Sequence, residues 1–337
     1  MRKKYIDTYS IIDEKIYKSN KEINNTELIN IIKKYKPPKH LKNIELIAKN
    51  VEEADNGIIY IGCDCKNKKQ YIYGINYIKR RRNDRIKIFL KVDSKIPKIE
   101  KFINKELNIF KKNELASHIY ITDKMIFAII LLVEMCFFIR TGKKKYLEDN
   151  ETIGLITLQK NNFTVEDDVI YINFKGKLSQ NQNFSIIKEE HLLIYNMIKL
   201  LYNKTDDFIF KNSDGITFTE SKLYNMIKQF NIKLKDIRTF GVNRVLIHEL
   251  WKNVKDLEIM DIRHKDIKKI ISKVVNRTAN IIGHTPTISK NSYIVDEIRS
   301  IIDIDTINKA KEMSFDQYYV YIVNKLKDLI LITVISV

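Results

Sequence analysis

The run MIFAIILLVEMCFFI at residues 125 to 139 constrains this chain more than any other stretch. It is shorter than the ~20 apolar residues that a membrane crossing needs. It also contains Glu134, so it reads as a helix buried inside protein. The tail LILITVISV at 329 to 337 is shorter still. The opening MRKKYIDTYS lacks the apolar core of a secretion signal. No membrane partner and no secretion are therefore expected.

Helical periodicity dominates around this run. Apolar residues at mixed three and four spacing predict helices over 101–112, 123–140, 188–203, 220–232, 239–252, 266–282 and 286–302. One interruption, VIYINFKGKLSQNQNFSII at 169–187, alternates and then turns through Gly, Ser, Gln and Asn, which predicts a small sheet. The N-terminal part differs. Residues 58–78 hold two Ile- and Tyr-rich runs separated by the polar CDCKNKK, a hairpin pattern. The basic cluster KRRRNDR at 79–85 then suits a linker or a phosphate-facing segment. A chain of 337 residues divides most naturally in two. The expected fold class is α+β, with a small strand-rich domain over residues 1–80 and a larger, mostly helical domain over 81–337 that carries a small sheet around 155–187.

Lys and Arg number 60 against 42 Asp and Glu, a net charge of +18. A polyanion is the first partner to consider, nucleic acid ahead of an anionic membrane surface. The competing explanation is a compositional bias toward Ile, Lys and Asn. Cys63, Cys65 and Cys136 form no disulfide framework, which points to a reducing compartment. Cys-Asp-Cys alone is not a zinc site, and neither HExxH nor the phosphate-binding G-x-x-x-x-G-K-[ST] is present. Neither a metal nor a nucleotide cofactor is expected.

IIGHTPTISKNSY at 281–293 places His284 after a glycine and Tyr293 nine positions later. Taken alone, the pair is open to two readings, a reactive couple or a helix-end histidine with a core tyrosine. Three further segments occur in order with it: FFIRTGKKKYLEDNETIGLITL (137–158), FKGK (174–177) and IKLKDIRTFGVN (232–243). Together with IGCDCKNKKQYIYG (61–74), this series resembles the poxvirus type of DNA topoisomerase IB, along roughly residues 30 to 315. The likeness points to an insect poxvirus or a similar large DNA virus as the source.

The resemblance implies an isomerase that nicks one strand through a 3'-phosphotyrosyl intermediate and reseals it, without ATP or metal. Position by position, it makes Tyr293 the nucleophile, Arg140 and Arg238 the catalytic arginines, Lys177 the general acid and His284 a further donor. These residue types suit the chemistry. Planar, always cationic guanidinium groups hold the nonbridging oxygens on which charge accumulates. Preorganised donors of this kind contribute ~3 kcal/mol each. A lysine can protonate the departing 5' oxygen. Lys175 lies two residues from Lys177, and only the Gly-Lys pattern chooses between them.

By the same likeness, Gln70, Tyr71 and Tyr73 are major-groove contacts, Lys143 and Tyr146 belong to a second groove-contacting element, and Lys235 adds a contact near the cleavage site. Arg81 in the basic cluster joins the DNA-binding set. In an extended strand Tyr71 and Tyr73 share one face while Ile72 points to the core. The partner implied is double-stranded DNA, held by a monomer that closes as a clamp, with a preference for a (C/T)CCTT-like pyrimidine site. The implied location is the virion and the host-cell cytoplasm. The chain departs from the family in its extra length between residues 86 and 125, in Leu178 after the lysine and in its apolar tail. Two other readings compete. A tyrosine recombinase shares the residue set, but its second arginine usually sits in His-x-x-Arg, where this chain has Lys235 and Arg238 as Lys-x-x-Arg. A noncatalytic basic DNA-packaging protein would not need all five residues.

With +18 of charge, DNA affinity should fall steeply with salt, because each neutralised phosphate releases counterions. A titration between 50 and 200 mM salt is expected to weaken binding on the order of 10³-fold or more, and a flat response would remove DNA as the main partner.

Overall fold

The Ile- and Tyr-rich runs lie in a six-stranded antiparallel sheet, where Ile59, Tyr60 and Ile61 are buried in succession and not on one face alone. Its strands are β1 (Tyr9–Ile12), β2 (Lys15–Lys18), β3 (Lys21–Glu22), β4 (Lys42–Leu46), β5 (Ile58–Cys63) and β6 (Lys69–Tyr73), in the order β3-β2-β1-β4-β5-β6. Helices α1 (Thr26–Lys34) and α2 (Val51–Asn56) start at asparagine caps, Asn25 and Asn50. Leu28 and Ile31 from α1 meet Leu46, Ile59 and Tyr60 from the sheet in a core of their own. The computed structural model describes residues 8–112, 119–177, 180–255, 264–283 and 285–335. The chain divides into two compact units, Met1–Asp84 and Arg85–Val337.

The hairpin is shorter than its apolar pattern. β6 stops at Tyr73, because Gly74 lies so close to α2 that a methyl group on it would stand 1.9 Å from the Ala54 carbonyl oxygen. Only glycine tolerates that approach. From Ile75 the chain is helical to Asp93 as α3. KRRRNDR is therefore helical: it contains neither Gly nor Pro, and Arg and Lys are strong helix formers. The division between the units falls inside α3.

In the second unit, α4 (Ile96–Lys112) and α5 (Asp123–Phe137) are followed by α6 (Lys144–Asn150). A three-stranded sheet comes next, β7 (Phe163–Val165), β8 (Val169–Lys175) and β9 (Asn181–Ile187). Residues 155–162, expected near the sheet, form short 3-10 turns. β8 turns Ile170, Ile172 and Phe174 inward and Tyr171 and Lys175 outward. Helices α7 (Leu192–Asn203), α8 (Glu220–Ile227), α9 (Leu234–Lys255) and α10 (His264–Ile282) follow, then α11 (Pro286–Ser292), α12 (Asp296–Ser300), α13 (Ile304–Glu312) and α14 (Phe315–Ile335). α14 takes in most of the apolar tail. Among the described residues, no helix is long and apolar enough to cross a membrane.

α5 holds most of the apolar run at 125–139 and packs against α4, α7 and α9. Thr122 caps its start, its hydroxyl accepting from the Met125 amide. It ends three residues short of the expected Arg140. Phe138 adopts a left-handed backbone, φ +52°, and its amide closes the last turn on the Glu134 carbonyl. The expected helix over 286–302 is likewise split, with Tyr293 at the break between α11 and α12.

Glu134 lies on α5 with 2% of its surface exposed. Burial pushes its carboxyl up to about 8, opposed by the nearby Arg238 charge. A carboxyl raised in the folded state contributes stability that is full below its ordinary value near 4.5 and lost as pH rises through about 8. Glu134→Gln should therefore melt higher than the parent at pH 9 and lose that advantage toward pH 4.5. Parallel melting curves for the two proteins across this range would show that Glu134 does not titrate as its burial dictates.

Candidate active site

Helix α9 is the platform of the site. It buries Ile237, Phe240, Leu246, Ile247 and Leu250, which fixes its rotation and leaves Arg238 and Asn243 aimed inward as well. Arg238 is only 5% exposed. Three residues on, Gly241 offers bare backbone to the Phe138 ring; a methyl group there would stand 1.8 Å from a ring carbon. This contact seats the end of α5 on α9, so the Phe138–Arg140 segment runs beside Arg238.

The loop carrying Arg140 is locked by backbone pairing. The Arg140 carbonyl accepts from the Leu155 amide at 2.7 Å, and the Thr141 carbonyl accepts from the Ile156 amide at 2.9 Å. Gly142 sits at φ +74°, and a methyl group on Gly154 would stand 2.4 Å from the Gly142 nitrogen. The two glycines thus let these strands of chain touch. Arg140 is half-buried and close enough to Arg238 to disfavour its charge. Burial is the largest influence lowering the Arg238 pKa, with Arg140 adding to it, while Tyr293 and Glu134 oppose it. The guanidinium nevertheless stays cationic at neutral pH.

Tyr293 ends α11. Thr285 caps that helix through the Ile288 amide at 3.2 Å, Pro286 occupies its first turn, and the Tyr293 amide donates to the Ser289 carbonyl at 3.1 Å. The tyrosine backbone itself is not helical, φ −132° and ψ −46°. Its half-buried ring lies 5.6 Å from the Arg238 guanidinium carbon. Asn243, fully buried on α9, holds this turn from both sides. Its amide nitrogen donates to the Tyr293 carbonyl at 3.0 Å, and its oxygen accepts from the Val295 amide at 2.8 Å. Sequence reasoning did not single out Asn243. The available signal was a polar residue on the apolar face of a helix.

Of the five residues predicted as catalytic, the structure brings Arg140, Arg238 and Tyr293 together. Lys177 stands exposed just past β8, after Gly176, whose amide donates to the Gln180 carbonyl at 2.8 Å. Lys175 is exposed too and pairs with Asn181 on β9. The geometry does not choose between these lysines. The Gln182 side chain links their hairpin to the end of α10: it lies 3.0 Å from a methyl position on Gly176 and 3.2 Å from one on Gly283, where φ is +68°. His284 and Leu178 lie outside the described residues.

The residues expected to contact DNA fall on both units. In the first, Gln70 is exposed and donates to Asp64 at 2.8 Å. Tyr71 is 45% exposed on the edge strand β6. Ile72 packs on the core, as expected, but Tyr73 is stacked on Tyr77 at 4.5 Å. The Arg81 guanidinium lies 5.8 Å from the other partner of that stack, the Tyr77 ring. In the second unit, Lys143 pairs with Glu220 at 2.6 Å and lies 5.9 Å from the Tyr146 ring, which is half-exposed on α6. Lys235 is exposed in the first turn of α9. Among the described residues no cluster of His, Cys, Asp and Glu is able to hold a metal ion.

Comparison with known proteins follows the same two-part division. The family model for viral DNA topoisomerase I, N-terminal, matches residues 4–62, and that for eukaryotic DNA topoisomerase I, catalytic core, matches residues 81–316. A DNA topoisomerase 1 of rabbit fibroma virus is 36% identical over 86% of both chains. A monkeypox virus DNA topoisomerase I is 32% identical over 94% of this chain and 96% of its own length. A DNA topoisomerase 1B of Acanthamoeba polyphaga mimivirus is 28% identical over 83% of this chain. With a catalytic-core match over most of its length and viral relatives aligned across both units, the chain belongs to the type IB DNA topoisomerases, a family of isomerases.

Proposed function

We propose that the protein relaxes supercoiled duplex DNA by tyrosine transesterification. The observation that carries this reading is the Tyr293 ring 5.6 Å from the buried Arg238 guanidinium, with Arg140 locked beside it. The Tyr293 oxygen gives up its phenolic proton to solvent and attacks a backbone phosphorus, the bond to the 5' oxygen breaks, and a 3'-phosphotyrosyl link forms. Arg238 and Arg140 hold the nonbridging oxygens, where fixed cations act strongest because water is excluded. His284 supplies a further donor. Lys177 gives a proton to the departing 5' oxygen. The link keeps the energy of the broken bond, so resealing by the 5' hydroxyl requires neither ATP nor metal. Between the two steps the free end rotates.

The exposed Gln70, Tyr71, Arg81, Tyr146 and Lys235, together with Tyr73 and Lys143, form the DNA-contacting set in this reading, and +18 of net charge supplies the phosphate affinity. Lys143 has to exchange its Glu220 partner for DNA. A single copy closes around the duplex, cleaving at (C/T)CCTT-like sites. Its place of action is the virion and the cytoplasm of the infected cell, by analogy with the poxvirus relatives. The tyrosine recombinase and packaging-protein readings gain no observation of their own.

Relaxation of both positive and negative supercoils in EDTA without nucleotide is the expected result, and activity that requires added metal would overturn the scheme. Tyr293→Phe should bind DNA as the parent does and form no covalent adduct. An adduct in that variant would move the nucleophile to another tyrosine, with Tyr146 the first to test.

The lysine assignment has a sharper test. An alcohol leaves poorly unless protonated, whereas a thiol of pKa ~8.5 leaves readily as the anion. Lys177→Ala should cleave ordinary DNA roughly 100-fold or more slowly, the usual contribution of a general acid, yet cleave a 5'-bridging phosphorothiolate at nearly the parental rate. Arg238→Ala should be rescued much less by sulfur. Selective rescue of Lys175→Ala would transfer the acid to that neighbour.

A further inference from the structure

Arg85 is the last residue of the basic cluster, and it alone of those seven is buried, at 9% exposure. A buried guanidinium is costly unless its donors are used. Here they reach the turn that carries Tyr293. One terminal nitrogen of Arg85 donates to the carbonyls of Lys290 at 3.0 Å and Ile294 at 2.9 Å, and the other donates to the carbonyl of Asn291. The Lys290 and Asn291 carbonyls belong to the end of α11, where helical geometry leaves acceptors without intrahelical donors and the helix dipole favours a cation. Asn243 holds the carbonyl of Tyr293 itself. The carbonyls of Lys290, Asn291, Tyr293 and Ile294 are thus fixed by two side chains from other helices.

We propose that Arg85 is a positioning residue for the nucleophile: it clamps the backbone on both sides of Tyr293 so that the phenol is held at the arginines. This rests on the reading of Tyr293 as the nucleophile. A planar fork is needed because three carbonyls must be reached at once, which the single ammonium of lysine does less well. Loss of the clamp leaves the phenol chemically intact but badly placed, and a misplacement of about 1 Å costs on the order of 100-fold in rate. DNA binding has no part in the clamp.

The test is single-turnover cleavage at saturating enzyme, on a duplex oligonucleotide that the parent cleaves. The dissociation constant is measured in a Tyr293→Phe background and melting is followed by circular dichroism. Arg85→Ala is expected to cleave roughly 100-fold more slowly with its dissociation constant within about twofold of the parent, a split that general loss of structure would not produce. The defect should be equal on the oxygen and 5'-bridging sulfur substrates, because attack and not departure is impaired. Arg85→Lys should lie between, about 10-fold slow, since it keeps the charge without the fork. Near-parental cleavage by Arg85→Ala, DNA affinity falling in parallel with rate, or rescue by sulfur would each overturn the proposal. If Arg85→Ala melts below the assay temperature, Arg85→Lys decides: parental cleavage by that folded variant overturns it. The two readings fail separately. An adduct in Tyr293→Phe sinks the nucleophile assignment, whereas no adduct there with unimpaired Arg85 variants sinks only the clamp.

Discussion

The geometry of this site depends on one buried cation. Arg238 is carried into the interior by α9, whose apolar residues anchor the helix more firmly than a single guanidinium can disturb it. Its buried neighbour Glu134 would be an ordinary counter-ion if fully ionised, but burial pushes that carboxyl up to about 8. The nearby Arg238 charge opposes that rise. That charge faces the Tyr293 ring, in surroundings where the effective dielectric is low and a fixed cation acts strongly on a developing anion.

Close backbone contacts at glycines also shape the surroundings of this site. Gly241 admits the Phe138 ring onto α9, and Gly142 and Gly154 let the Arg140 loop touch the turn that follows α6. Gly176 and Gly283 both meet Gln182, joining the lysine hairpin to the end of α10. At Gly241, Gly142 and Gly154 a side chain would force two segments apart. A site assembled this way has little freedom to rearrange, and such preorganisation is what electrostatic catalysis requires.

The break between α11 and α12 shows how the interior overrides local preference. Residues 286–302 carry a helical apolar pattern, yet the helix stops at Tyr293, because Asn243 and Arg85 supply hydrogen bonds to the turn that further helix would have used internally. α5 stops early for a related reason. A left-handed Phe138 sends its ring onto Gly241 and releases Arg140 into the loop.

By itself the sequence determined the buried α5, the strand-rich start, the largely helical remainder and, through four ordered motifs, the identities of the candidate catalytic residues. The fold features follow from periodicity and residue type, which are local, whereas the candidate catalytic residues follow from the resemblance that those motifs carry to a known family. It did not show that KRRRNDR is helix, because a run of charges looks the same on a solvated helix and in a linker. Nor did it separate Arg85 from Arg80, Arg81 and Arg82, since burial and the choice of acceptor belong to residues some two hundred positions away. Asn243 was hidden for the same reason. Only the tertiary structure decided which polar groups hold the nucleophile's backbone, because a hydrogen bond between distant segments exists only after packing has brought donor and acceptor within reach.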